Sequence, residues 1–337
     1  MGFSLKNSAD KISILRYQYM ARRKNSRYML SINRKNYFHI IDAVNHFNNA
    51  LDDLENDMSV IACCESLFKA LNKLQTASIN DNTNSSSKPH SESKNFIRLI
   101  ENSFSDEEKI DFLTKTELIN LIELSPPIMN HRILKDANYD PMNINLDLER
   151  EASAIHRELK DSYMKYCLDK KPKYQNDVIK KSGNLLYIIR SNIAHGEKTP
   201  KGPDIRKIER DTAVSKVAIP LLIFLFKSIV GGSDQNLIAY GTIAPGNINH
   251  QIISDINGKW IKCKINGKIK TIDGLPVFDW ILSEKTIVAD LFNSNDLPKN
   301  WSNIDKFEGS MYKRRLIPAE IDDNTYIIGN IYLARTP

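Results

Sequence analysis

"IVGGSDQNLIAYGT", residues 229–242, decides how this chain is read. Before it, apolar residues return every three or four positions. After it, they fall in short runs separated by Gly, Asn and Asp. The period changes from that of helices to that of strands across one double glycine. Gly231-Gly232-Ser233-Asp234 reads as a short flexible joint. Residues 1–230 are expected to form an all-α bundle, 231–235 a linker, and 236–337 a mixed, barrel-like β domain. A chain of 337 residues is long for one core, which agrees with two domains.

Upstream of the joint, Phe38, Ile41, Val44, Phe47, Leu51 and Leu54 share one helical face, as do Val60, Cys64, Leu67, Leu71 and Leu74. Ser105 and Glu108 have capping-box form, ahead of a continuous stripe from Ile110 to Ile122. Further helices are expected over Leu148–Leu168, Val178–Ala194 and Ile208–Val230, the last bent near Pro220. Thr76–Asn95 is Ser/Asn-rich and reads as a mobile insertion. Downstream, strands are expected over 237–243, 251–254, 260–265, 269–272, 286–292, 315–321 and 326–332. Turns fall at Gly258, Asn266-Gly267 and Asp322-Asp323-Asn324, and one helix at Trp301–Phe307.

The chain carries 47 Lys+Arg against 41 Asp+Glu, net +6. Residues 1–234 hold 35 against 30, and residues 235–337 hold 12 against 11. This mild excess permits nucleic-acid contact without requiring it. Four cysteines without metal spacing read as reduced thiols of a cytoplasmic protein. No metal and no cofactor is expected. No membrane segment is expected either: the longest apolar run, Val217–Phe226, falls short of the roughly 20 residues a spanning helix needs.

Two places carry candidate chemistry. In "YIIRSNIAHGEK", 187–198, Arg190 and His195 lie five positions apart, about 140° around an ideal helix. They can bracket a ligand at the helix end. Arg holds phosphate charge and His moves protons near neutral pH, a pairing suited to metal-free RNA cleavage. Helix-end capping is the plain alternative. Asn192 can add a hydrogen bond. Lys198, Lys201, Arg206, Lys207 and Arg210 can follow an RNA backbone, and so can the Arg16–Arg27 stretch with Tyr17 and Tyr19. A solvated helix face is the alternative for both.

The second place is "AYGTIAPG", 239–246, a glycine turn after a strand whose amides can hold a carboxylate or oxyanion. Far along the chain comes "NIDKFEGSMYKRR", 303–315, with Glu308 at a helix end. His250 follows the turn closely and can line a pocket there, with a structural role as the plainer reading of a lone loop histidine.

The Arg-x4-His string, late in a helical region, resembles the HEPN superfamily. That resemblance implies a dimerising bundle in which two motifs meet to form one RNA-cleaving site. Here Ser191 stands where many members have Asn. The Tyr240-Gly241-Thr242 turn paired with the D-x-F-E-G segment resembles the gamma-glutamylcyclotransferase-like family over nearly all of 236–337. That resemblance implies a catalytic Glu308. It also implies a substrate cradle from the amides of Tyr240, Gly241, Thr242 and Ile243, a pocket shaped by Tyr312, and a gamma-glutamyl small molecule or isopeptide adduct as substrate. Together the two resemblances imply a homodimeric ribonuclease effector of toxin or phage-defence type, joined to a cyclotransferase. Two simpler readings stand beside it: a cyclotransferase with a non-catalytic dimerisation arm, and a non-catalytic nucleotide- or ligand-binding module.

Overall fold

The computed structural model describes residues 36–56, 59–81, 91–104, 106–140, 142–194, 204–272, 274–281, 285–322 and 325–335. Among the described residues ten helices come first: α1 (Tyr37–Glu55), α2 (Val60–Asp81), α3 (Glu92–Ser103), α4 (Asp106–Lys115), α5 (Leu118–Ile122), α6 (His131–Asp136), α7 (Leu146–Ala152), α8 (Ala154–Leu168), α9 (Pro172–Ala194) and α10 (Asp204–Val230). A six-stranded barrel-like sheet follows: β1 (Asn236–Ala239), β2 (Lys259–Ile272), β3 (Leu275–Trp280), β4 (Thr286–Asn293), β5 (Tyr312–Asp322) and β6 (Thr325–Ala334). Two helices interrupt it, α11 (Gln251–Ser254) and α12 (Leu297–Glu308).

Helix α10 is the centre of the bundle. Ala218, Ile219 and every residue from Leu221 to Phe226 are buried, and Phe226 stacks on Phe47 of α1 with ring centroids 4.1 Å apart. Within α10, Ile208–Val230 is long and apolar enough to cross a membrane, although the Val217–Phe226 run alone falls short. Of its most apolar stretch, 83% is buried inside the fold, as in a core helix. The helix runs on through Pro220.

Several local expectations change. The stripe from Ile110 to Ile122 is two helices separated at Thr116 and Glu117. Leu148–Leu168 is divided at Ser153, whose hydroxyl donates to the Glu149 carbonyl at 2.7 Å. Thr76–Asp81 is not loop but the last turns of α2, because Ala77 continues the buried stripe. Glu92–Asn95 opens α3, and the Gln75 amide ties the two helices by donating to the Glu92 carbonyl at 3.2 Å. Residues 82–90 and 1–35 lie outside the described residues, and with them the Arg16–Arg27 stretch.

The joint at 231–235 is packed rather than loose. Gly231 and Gly232 take φ of 60° and 62°, turning the chain off the end of α10. Ser233–Gln235 then forms one buried 3-10 turn. Asp234 pairs with Lys227 of α10, and burial draws that ammonium below its usual range. Trp301 Nε1 donates to the Asp234 carbonyl at 2.9 Å, and Asn330 Nδ2 to the Ser233 carbonyl at 2.7 Å. Small polar residues that read as linker are here the bonded floor of the sheet.

In the sheet the order is β3-β2-β4-β1-β6-β5, and Lys264 facing Glu320 pairs β2 back to β5, closing the barrel. β1 is antiparallel to β4 and parallel to β6. Asn266-Gly267 makes no turn. It lies inside β2, where Asn266 pairs with Thr286 of β4 and Gly267 with Trp280 of β3. A Cβ at Gly267 would sit 2.3 Å from the Asp279 carbonyl oxygen and 2.5 Å from the Phe278 ring, at φ 153°. Glycine is there so that β2 can exchange partners at close approach. Gln251–Ser254, expected as a strand, is a single helical turn, with Ile253 and Ser254 amides bonded to the His250 carbonyl. Four residues are too few for periodicity to separate the two.

The helices and the sheet share one seam. Leu316 and Ile328 of the sheet belong to the core of the bundle. Asn48 of α1 accepts from the Leu316 amide at 3.1 Å and donates to its carbonyl at 2.8 Å. Beside it, buried Arg315 is held by Asp52 and Glu55, and Lys313 reaches Asp52 at 2.7 Å. Asn48→Ala leaves both polar groups of Leu316 buried without that partner. The expected cost is about 2–4 kcal/mol in urea unfolding, against under about 0.5 kcal/mol for the exposed Asp136→Ala. Equal losses for the two variants would show that the seam contributes nothing special.

Candidate active site

One cavity of about 280 Å³ opens at the end of α12, against β1 and the turn that follows it. Leu237, Tyr240, Gly241, Thr242, Ile243, Asn249, Pro276, Phe307, Glu308, Met311, Tyr312 and Tyr332 are among its walls. The turn and Glu308, some 65 residues apart in sequence, therefore face the same space. The expected strand 237–243 stops at Ala239, and this early end frees 240–243 to curve over the cavity.

The turn's own bonds set which groups it offers. The Gly241 carbonyl accepts from the Ala244 amide at 3.2 Å and from Asn247 Nδ2 at 2.8 Å. The Thr242 carbonyl accepts from the Asn249 amide at 3.0 Å. The Ile243 carbonyl lies 3.0 Å from His250 Nδ1, whose ring packs on Trp260. In a trans peptide the N–H points opposite to the preceding C=O. The amides of Thr242 and Ile243 thus point away from Asn247 and Asn249. Among the described residues no backbone carbonyl accepts from the amides of Gly241, Thr242 or Ile243. His250 braces the turn and does not line the cavity.

Glu308 ends α12, where Gly309 at φ 67° turns the chain away. Burial, aided by the Asp305 carboxylate one helical turn earlier, pushes its carboxyl up to about 7. Asp305 is fixed from two sides. Arg314 Nε lies 3.1 Å from its Oδ1, and Tyr332 Oη donates to the same oxygen at 2.6 Å. The Arg314 guanidinium lies 4.1 Å from the Trp301 ring centroid. Tyr240 Oη donates to the Tyr332 carbonyl at 2.8 Å, and Tyr312 Oη to the Pro276 carbonyl at 3.0 Å. Burial raises all three phenols, so they stay neutral near pH 7. Among the described residues that line the cavity, Glu308 is then the group that titrates near neutral pH, a carboxyl able to take and return a proton.

Tyr332, Asn249, Pro276 and Met311 had no sequence signal, since each reaches the cavity through strand pairing or a turn. Asp305 and Arg314 were visible in the sequence but not their bond.

At the helical motif the arrangement is different. Arg190 Nη2 is bound to Glu92 Oε1 at 3.0 Å, and its guanidinium lies 5.4 Å from the Tyr187 ring centroid. Asn192 donates to the Met129 carbonyl at 2.8 Å and accepts from the His131 amide at 3.2 Å, clipping the segment before α6 to α9. Arg210 donates to the Pro126 carbonyl. His195, Lys198 and Lys201 lie outside the described residues, and the side chains of Arg206 and Lys207 do as well. Beside Ser191 and Asn192 is a second cavity of about 410 Å³, with His131, Arg132 and Lys135 on its wall.

The folded Glu308 holds its proton up to about pH 7, whereas the usual value is 4.5. Between those values the folded chain binds more protons than the unfolded chain, so stability falls as pH rises through that window. Glu308→Gln lacks this titration. From pH 5 to pH 8 it should gain on the order of 1–3 kcal/mol over the wild type in urea unfolding. Parallel pH profiles would mean that Glu308 is solvated in the folded state.

No family model matches this chain, and no curated protein matches it.

Proposed function

We propose that residues 236–337 form a gamma-glutamylcyclotransferase-like enzyme that releases 5-oxoproline from gamma-glutamyl amines. The observation that carries this reading is a desolvated carboxyl, Glu308, facing an amide-bearing turn across one small cavity. The substrate brings its own nucleophile. Its α-ammonium lies against Glu308, and its α-carboxylate against the amides of Gly241, Thr242 and Ile243.

Ionised Glu308 takes a proton from the ammonium. The freed amine attacks the side-chain amide carbon, and a five-membered ring forms with a new C–N bond. The attack is intramolecular, so holding the chain curled supplies much of the acceleration. As the tetrahedral centre collapses, the original C–N bond breaks and the leaving nitrogen takes the proton from Glu308. The second ammonium proton follows it through the same carboxyl, and the departing amine leaves protonated. No water is consumed and no metal is used in these steps.

The expected result is 5-oxoproline release that rises with pH through about 7 and falls by roughly 10²–10⁴ in kcat for Glu308→Gln. Release unaffected by that substitution would remove the reading.

For the helical part we propose metal-independent RNA cleavage by a dimer, with Arg190 and His195 as the acting pair. The cavity beside Ser191 and Asn192, with His131, Arg132 and Lys135 on its wall, supports a place for an anionic ligand next to the motif, although Asp136 lines it too and lies 3.7 Å from Arg132. Arg190 would have to exchange Glu92 for phosphate on binding. Growth arrest on overexpression and cleavage of RNA by the purified chain are the expected results, both lost in His195→Ala. Arrest or cleavage that persists in that variant would remove this second reading. The helices would then be an arm for the cyclotransferase.

A further inference from the structure

We propose that the amine released from the α12 cavity is apolar and bears no carboxylate of its own, an inference that rests on the cyclotransferase reading above. Among the described residues lining this cavity, Glu308 is the one charged side chain. The gamma-glutamyl head takes up the cavity's polar groups: Glu308 takes the ammonium, and the turn amides take the α-carboxylate, with the Thr242 hydroxyl and the Asn249 carboxamide on the same side of the cavity. What remains for the leaving group is Phe307, Met311, Pro276 and Tyr312. Phe307 is 39% exposed and Met311 49%, so these two stand at the open side, where the leaving group must lie. Tyr312 offers no free donor there, because its hydroxyl donates to the Pro276 carbonyl.

A carboxylate on the leaving amine would meet this wall unpaired and close to Glu308, with desolvation and like-charge repulsion acting together. The neighbouring cations lie off this wall: Lys306, beside Phe307 on α12, is exposed and is not among the residues lining the cavity, and three others are bound to carboxylates. Arg314 is bound to Asp305, while Lys313 and Arg335 are bound to Asp52 and Glu55 of α1. An aliphatic or aromatic amine instead removes apolar surface from water on both sides of the contact. The wall therefore selects against amino-acid and peptide leaving groups, which all carry a carboxylate, and selects for simple amines.

The test is a matched pair that differs by one carboxylate: gamma-glutamyl-phenethylamine and gamma-glutamyl-phenylalanine. The full-length protein is assayed for 5-oxoproline between pH 6 and 9. The expected kcat/KM for the amine exceeds that for the amino acid by about tenfold or more. Met311→Lys, at a half-exposed position, should narrow that ratio severalfold by giving the carboxylate a partner. A ratio near one, or reversed, overturns the proposal and leaves the cyclotransferase reading standing. An unchanged ratio in Met311→Lys overturns the assignment of this wall to the leaving group. No 5-oxoproline from either compound removes the cyclotransferase reading, and this proposal with it.

Discussion

The carboxamide of Asn48 stands where a neighbouring strand would stand, giving the Leu316 amide an acceptor and its carbonyl a donor. β5 needs this. On one side it pairs with β6 along its length, but on the other β2 reaches it at Lys264 and Glu320. A buried strand edge with unpaired polar groups is costly, and barrels remove the problem by closing on themselves. Here part of the closure is delegated to a helix. α1 lies over the remaining seam and fills it with one carboxamide and two carboxylates, Asp52 and Glu55. Burial alone would raise Asp52, but Arg315 and Lys313 more than offset it and hold its carboxyl below the usual range.

That seam fixes the cavity as well. Residues 312–315 of β5 send their side chains alternately to the two sides. Tyr312 and Arg314 go to the cavity and to Asp305, and Lys313 and Arg315 go to α1. Asp305 thereby acquires two partners, Arg314 and Tyr332, while Glu308, one turn further along the same helix, lines the cavity. Two carboxyl groups three residues apart end in opposite surroundings. One is bonded into the frame; the other is desolvated, pressed by its neighbour's charge, and free to exchange a proton.

How much of this is legible in the sequence follows from range. The change of period at Gly231 depends on neighbours within a few residues, and the structure has helices before it and strands after it. Glu308 and 240–243, singled out by motif, lie on one cavity. Features that depend on distant partners were misread or not visible. Asn266-Gly267 has the composition of a turn, yet it marks a strand changing neighbours, because Phe278 needs the space a side chain would fill. Asp234 reads as linker until Lys227 and Trp301 are placed beside it. Asn192 reads as a donor at a reactive centre, but the Met129 carbonyl and the His131 amide occupy it. Nothing near Arg190 in sequence announces Glu92, which lies 98 positions away.

The same seam limits how the cavity can work. Opening it from the β5 side would draw Arg315 away from Asp52 and Glu55, and breaking a buried pair of this kind costs on the order of 3–5 kcal/mol. Opening it from the β1 side would disturb the packed joint, where Asp234 is held by Lys227 and Trp301. A further wall is the short stretch from Phe307 to Met311, which is exposed on either side of Glu308, contains Gly309 and makes one 3-10 turn at Gly309–Met311. The proposed substrate would therefore enter a site whose floor and two sides are already formed, past the apolar pair Phe307 and Met311. Under the proposed activity, selection among ligands would fall to that entrance, where the wall can adjust without dismantling the contact between helices and sheet.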